Sequence, residues 1–269
     1  MSLPARLFKQ ELEKALTYRF DFVMRVAGKA LSVSLISWFL WSSIFSTQGR
    51  STMAGWELRE LLVYYAAIPL TLFLVMNSDF DSLSTEIYDG SLSRSLLYPR
   101  NYLWMNGLRK LASGWITLLP YGLLWAGGRV LFPENPTAST PLAVCLFYVA
   151  WCTVAFPGFY LLATALDLLA FWFEQTWSLR SILRFTTLFL GGGFVPVSLF
   201  PEGVREIFLL FPSHSQIGFA TEVLARGRLP DPDILLRQSL LLGTWTLIAG
   251  GIVAILWKRG LKEFSGSGL

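Results

Sequence analysis

Residues 79–110 read DFDSLSTEIYDGSLSRSLLYPRNYLWMNGLRK, the longest strongly polar interval in a chain whose other long stretches are apolar. Phe80, Leu83, Ile87 and Leu92 are spaced to line one face of a short helix, Asp89 and Gly90 end it, and residues 92–97 begin a second element stopped by Pro99. The exposed side of this pair would then carry Asp81, Glu86, Asp89 and Arg94. A short amphipathic element hung between two apolar runs has little to pack against except a second protein. The interval is therefore expected to be a docking surface; the plainer alternative is an ordinary hairpin at the membrane surface.

Working outward, the 269 residues are 54% hydrophobic and 15% charged, with a mean hydropathy of +0.51. A soluble domain carries about 25% charge, so the class is an all-α integral membrane protein. No separate soluble domain fits between the apolar runs, and residues 1–269 are read as one transmembrane domain. A helix needs about 20 apolar residues to cross the hydrocarbon core. Six candidate spans emerge: 30–49, 61–78 with a kink expected at Pro69, 111–128, 141–166, 185–200 and 238–257. Six crossings put both termini on one side. With the amino terminus inside, fifteen of the 22 basic residues, including every lysine, fall on inner segments, so both termini and residues 79–110 are expected in the cytoplasm.

At the amino terminus, residues 4–25 place Phe8, Leu12, Leu16, Phe20 and Val23 on one helical face, as in a helix lying in the membrane interface. Charge throughout residues 1–29 argues against a cleaved signal peptide. Residues 201–230 fit neither a loop nor a seventh crossing. Pro212, His214 and Gln216 make a full crossing costly, while the Phe, Leu and Ile content makes a solvated loop unsuitable. Two short helices that dip part-way into the outer leaflet and lie against the other spans are expected.

Little in the chain suggests catalysis. A phosphate-binding loop ending in Gly-Lys-Ser/Thr is missing from the sequence. His214, the sole histidine, is read as a satisfied structural or interfacial residue. Cys145 and Cys152 match no zinc or redox spacing. Asp167 and Glu174, beside Arg180 and Arg184, suit a salt-bridge set at an inner turn, and Glu57 and Glu60 suit the outer interface. No metal and no cofactor is expected in this chain.

The order of these features, together with IYDGSLSRSLLYPRN at 87–101 and LGGGFVPVSLFPEGVREIFLLFPSHSQIGFATEVLARG at 190–227, resembles the permease of a type-2 ATP-binding-cassette exporter. The smaller branch of that family, bacterial permeases of about 260 residues, is the one it is similar to. The resemblance implies a dimer with an identical or similar permease in the bacterial plasma membrane, and two cytoplasmic ATPase subunits that bind ATP and Mg. Docking would fall on Asp79, Asp81, Glu86, Asp89, Gly90, Arg94 and Arg100 as well as on the amino-terminal helix. Gly191, Gly192 and Gly193 would serve close helix approach or a backbone bend, or simple flexibility at a span end; Pro196, Pro201, Phe211 and Pro212 would shape the outer hairpin. The aromatic load of spans one, three and four suits export of a hydrophobic or amphipathic molecule. A non-transporting anchor for an ATPase, or a polytopic membrane enzyme, is the alternative.

Overall fold

The computed structural model describes residues 3–49, 51–77, 83–97, 101–123, 141–173 and 176–264. Helices dominate. Helix α1 (Leu3–Thr17) is followed, after Tyr18, by the 30-residue α2 (Arg19–Gln48), so the amphipathic amino-terminal segment expected over 4–25 is divided. Tyr18 adopts φ −104° and ψ 39°, which turns the chain. Residues 19–25 consequently belong to α2, while Leu7 is the buried anchor of α1. Glu11 of α1 reaches Arg109 at 4.0 Å.

Val26, Ala30, Ser37, Trp41 and Phe45 form the buried stripe of α2 at helical spacing. Its other faces expose Leu31, Leu35, Ile36, Trp38, Phe39 and Leu40. Large apolar side chains facing outward at this density suit lipid or another apolar surface, not water. Gly49, at φ 60°, donates its N–H to the Phe45 carbonyl at 3.0 Å and closes the helix with a left-handed cap.

A two-stranded hairpin, β1 (Thr52–Met53) and β2 (Trp56–Glu57), feeds α3 (Leu58–Val75). Glu57 and Glu60 form a reciprocal capping box at its start, which satisfies two orphan backbone donors. Helix α3 is the central element, buried along most of its length, and it continues through Pro69. Thr71 joins it to its neighbours: its hydroxyl lies 2.7 Å from the Tyr148 hydroxyl and 2.9 Å from the Thr221 hydroxyl. Such buried hydroxyl contacts hold helices together where apolar packing alone gives little preference over lipid.

After α3 come the short α4 (Leu83–Tyr88) and α5 (Leu92–Leu96), then α6 (Tyr102–Ile116), with residues 118–123 also helical. Asn101 accepts from the Trp104 N–H at 3.2 Å and caps α6. Residues 102–110 are thereby the first turns of a long helix and not part of the polar connection. Helix α7 (Leu142–Asp167) runs into a 3₁₀ turn at Leu168–Phe171. Helix α8 (Trp177–Leu190) starts eight residues before the fifth span anticipated from hydropathy and ends at the glycine triplet, so residues 194–200 leave the helix. The reason is conformational: Gly192 takes φ +86° and turns the chain out of the helix.

The segment beyond the triplet forms α9 (Glu202–Phe208), a π-helical stretch (His214–Gly218) and α10 (Phe219–Arg226), before α11 (Pro232–Glu263). Pro212 through Ala220 are all buried, against α3, α7 and α11. Among the described residues four helical stretches are long and apolar enough to cross a membrane: α2, α3, α7 with its 3₁₀ extension, and α11. At about 1.5 Å per residue, the 32 residues of α11 link the two ends of the bundle. The α9–α10 region lies at one end and α4–α5 at the other.

Candidate functional site

At the α4–α5 end, the apolar positions read from the sequence are brought together. Leu83, Ile87 and Leu92 are buried in a cluster with Leu168, Ala170, Phe171 and Val253, so both short helices are seated on the 3₁₀ turn after α7 and on α11. Phe171 presses so closely on Gly260 that any side chain there would collide with its ring. Tyr102 stacks on Trp257, with ring centroids 6.1 Å apart and planes 5° from parallel. Between α4 and α5, Gly90 takes φ 75°, and Ser91 donates its N–H to the Asp89 carboxylate at 2.9 Å. The Ser91 side-chain and backbone hydrogen bonds hold the Asp89 carboxyl below its usual range, so it is charged at neutral pH.

Glu86 differs from its expected exposed position. Its Oε1 accepts from the Tyr102 hydroxyl at 2.8 Å and its Oε2 from Ser95 at 3.2 Å, so one carboxylate ties α4, α5 and α6 together. Burial first, and then the neighbouring Glu86, push the Tyr102 phenol well above its ordinary range, so it remains a donor. Glu86 sits on the flank of a six-residue helix, next to Ile87, and the returning chain delivers Tyr102 there. The face that does remain outward carries Asp89, Arg94, half-exposed Tyr88 and Leu96, and Leu97, which is 85% exposed. Asp79, Asp81 and Arg100 lie outside the described residues, as does Phe80.

Beneath this element, Arg180 at the start of α8 approaches the buried Asp167 at 3.2 Å. The Arg180 Nη2 has no hydrogen-bond partner, so the pair is held by charge and not by an aligned fork. Glu174 lies outside the described residues.

The glycine triplet at the opposite end is held from two sides. Tyr64 donates its hydroxyl to the Gly192 carbonyl at 2.8 Å, and Tyr65 donates to the Phe194 carbonyl at 2.7 Å. A Cβ on Gly191 would lie 2.7 Å from the Ser213 carbonyl oxygen, so the turn touches, backbone to backbone, the residue that leads into the π-helical segment. Close backbone contact at Gly191 and a positive φ at Gly192 thus fall at adjacent positions. Pro196 and Pro201 precede the next two helical turns. Trp56 donates its ring N–H to Ser198 at 2.8 Å. Phe211 stacks on Trp245 at 6.5 Å, and Pro212 is buried.

His214 is buried, but its Nδ1 has no hydrogen-bond partner, contrary to the satisfied residue expected. Burial lowers its pKa to about 4, which keeps the ring neutral near neutral pH.

Tyr64, Tyr65 and Tyr102 were not singled out by sequence. The available signal was the cost of a buried phenol without a partner: two adjacent tyrosines inside an apolar run must reach something polar. Their targets are more than a hundred residues away for Tyr64 and Tyr65, beyond any local pattern.

No curated protein and no solved structure gives a match. Residues 31–268 match the family described as ABC-2 family transporter protein. With four described helices apolar and long enough to cross a bilayer and a match over most of its length, this chain belongs to the ABC-2 transporter family, as a multi-pass membrane subunit of an ABC transporter.

Proposed function

We propose that the chain exports a hydrophobic or amphipathic molecule from the cytoplasm or inner leaflet, driven by a separate cytoplasmic ATPase that docks on α4 and α5. The observation that carries this reading is the division of labour in that element. Leu83, Ile87 and Leu92 lock its underside to α11 and the 3₁₀ turn, Glu86 ties it to α6, and Tyr88, Asp89, Arg94 and Leu97 are left facing outward. A partner can shift a conformational equilibrium only by as much as it binds the two states differently. An element anchored to α6 and α11 passes such a difference into the bundle; a loose loop would dissipate it.

ATP and Mg are assigned to the partner, since this sequence holds no Gly-Lys-Ser/Thr phosphate loop, and the chain itself is read as non-catalytic. The exposed apolar faces of α2 and of α8, the latter with Ile182, Phe185 and Phe189, support a second permease, identical or similar, as well as lipid contact. Lysine and arginine asymmetry supports cytoplasmic termini in a bacterial plasma membrane.

Co-purification tests the docking face. Glu86 is left intact because it holds the element together, and Asp89→Lys with Arg94→Glu reverses two exposed charges. The expected result is a loss of about tenfold or more in recovered ATPase, as for charges at the core of an interface, with unchanged yield of the permease. Wild-type recovery with wild-type coupled ATP hydrolysis would overturn the reading.

A further inference from the structure

Between the 3₁₀ turn at Val197–Leu199, α9, α10 and the start of α11 lies a cavity of about 470 Å³, within the usual range of small-ligand pockets, about 300–1,000 Å³. Four guanidinium groups line it: Arg205, Arg226, Arg228 and Arg237. The acidic groups on its wall are Glu222 and Asp231. Arg226 lies over the Trp56 ring at 4.5 Å and Arg205 pairs with Glu202 at 3.8 Å. Arg228 and Arg237 form no ion pair among the described residues. His214, 5% exposed and without a partner for Nδ1, also lines the cavity.

A second, more open groove of about 560 Å³ adjoins this cavity and shares Leu209 and Arg237 with it. Its wall is apolar along α11, from Leu236 through Leu240 and Leu241 to Trp245, with Asp233 at the rim beside Arg237. Leu236 and Leu240 are both about 60% exposed. The Trp245 ring N–H donates to the Leu210 carbonyl at 3.2 Å and fixes the groove's far wall. A cavity lined by four arginines, beside a largely apolar groove on the surface of a membrane helix, suits a molecule with a negative head joined to hydrocarbon chains.

We propose that this site binds a phosphate-bearing lipid, its headgroup among Arg205, Arg228 and Arg237 and its chains in the groove along α11. Guanidinium groups suit phosphate because they offer paired donors to its oxygens. Arg228 and Arg237, which form no ion pair among the described residues, leave donors for an anion, and a cation beside hydrocarbon is costly unless one meets it. That the lipid comes from the outer leaflet rests on the topology proposed above; the binding itself does not.

The test uses the full chain, purified in detergent with its ATPase, and native mass spectrometry with three probes: phosphatidylglycerol, phosphatidylcholine and inorganic phosphate. Phosphatidylglycerol is expected to be retained over phosphatidylcholine, and Arg228→Gln with Arg237→Gln, both on exposed side chains, should weaken its retention at least about tenfold, as for lost charge-assisted hydrogen bonds. Thr244→Trp, which fills the groove, should shorten retention of phosphatidylglycerol, while Lys258→Gln with Arg259→Gln at the far end of α11 should not. Retention unaffected by the Arg228 and Arg237 changes overturns the site, and displacement by inorganic phosphate at equal concentration overturns the lipid in favour of a soluble anion. A cysteine at position 228, introduced as Arg228→Cys and treated with an impermeant thiol reagent in intact cells, should be modified; failure there refutes the topology and leaves the detergent binding result standing.

Discussion

Replacing Gly191 with alanine inserts one methyl group where two backbones meet. The new Cβ would sit 2.7 Å from the Ser213 carbonyl oxygen, 3.2 Å from its carbon and 2.5 Å from the Thr187 oxygen. Ordinary contact begins near 3.4 Å, so the Ser213 oxygen alone must retreat by roughly 0.7 Å. Neither obstacle is a side chain that can rotate away. Ser213 leads into a π-helical segment whose Ser215 carbonyl accepts from the Trp151 ring N–H at 2.8 Å, and the glycine turn is tied to Tyr64 and Tyr65. Overpacking of this kind costs about 1–3 kcal/mol, which corresponds to about 2–12 °C in a chain of this size. Detergent-solubilised membrane proteins often unfold irreversibly, so apparent Tm at one scan rate and half-life at one temperature are the appropriate measures. Gly243→Ala is the control: a Cβ there meets nothing within 4 Å, and a helical Gly→Ala change gains up to about 1 kcal/mol. If Gly191→Ala matches Gly243→Ala in both measures, the close-approach argument fails.

Asp167→Asn leaves the Arg180 charge buried without its counter-charge, which costs about 3–5 kcal/mol; adding Arg180→Gln should recover part of the loss, and a thermal double-mutant cycle with zero coupling would refute the pairing. Glu222 gives a pH dependence of definite sign. Burial raises its carboxyl to about 7, opposed by Arg226 on its own helix, the Ser198 hydroxyl and Arg205 on α9, while Tyr64 faces it from α3. Because the folded pKa exceeds the unfolded one, the stability linked to this group is fully present below about pH 4.5 and is lost as pH rises through about 7. Glu222→Gln should therefore flatten the fall in apparent Tm between pH 5 and pH 8, and an unchanged slope counts against the burial.

The two ends of the molecule differ in how readable they are. At α4–α5 the pattern Leu83, Ile87, Leu92 is local, so helical spacing alone identifies the buried face. Glu86 defeats the same reasoning because its partner, Tyr102, arrives sixteen residues later on another helix. At the other end, Gly and Pro mark the turns, but they do not reveal that Gly192 is grasped by Tyr64 across 128 residues. No local pattern in the sequence joins the four arginines of the cavity. They converge because α9, α10 and α11 fold back on one another.

Sequence by itself determined the class of this protein: low charge, long apolar runs and the polar interval at 79–110 are all local quantities, set by what hydrocarbon excludes. Tertiary structure alone decided which polar groups meet. It broke the amino-terminal helix at Tyr18, turned Glu86 inward, buried His214 without a partner for Nδ1 and gathered arginine beside an apolar groove. The physical reason is that hydrophobicity sorts residues by environment and needs no partner, whereas hydrogen bonds and ion pairs are satisfied only by particular groups, and those groups are brought within reach by the packing of distant helices.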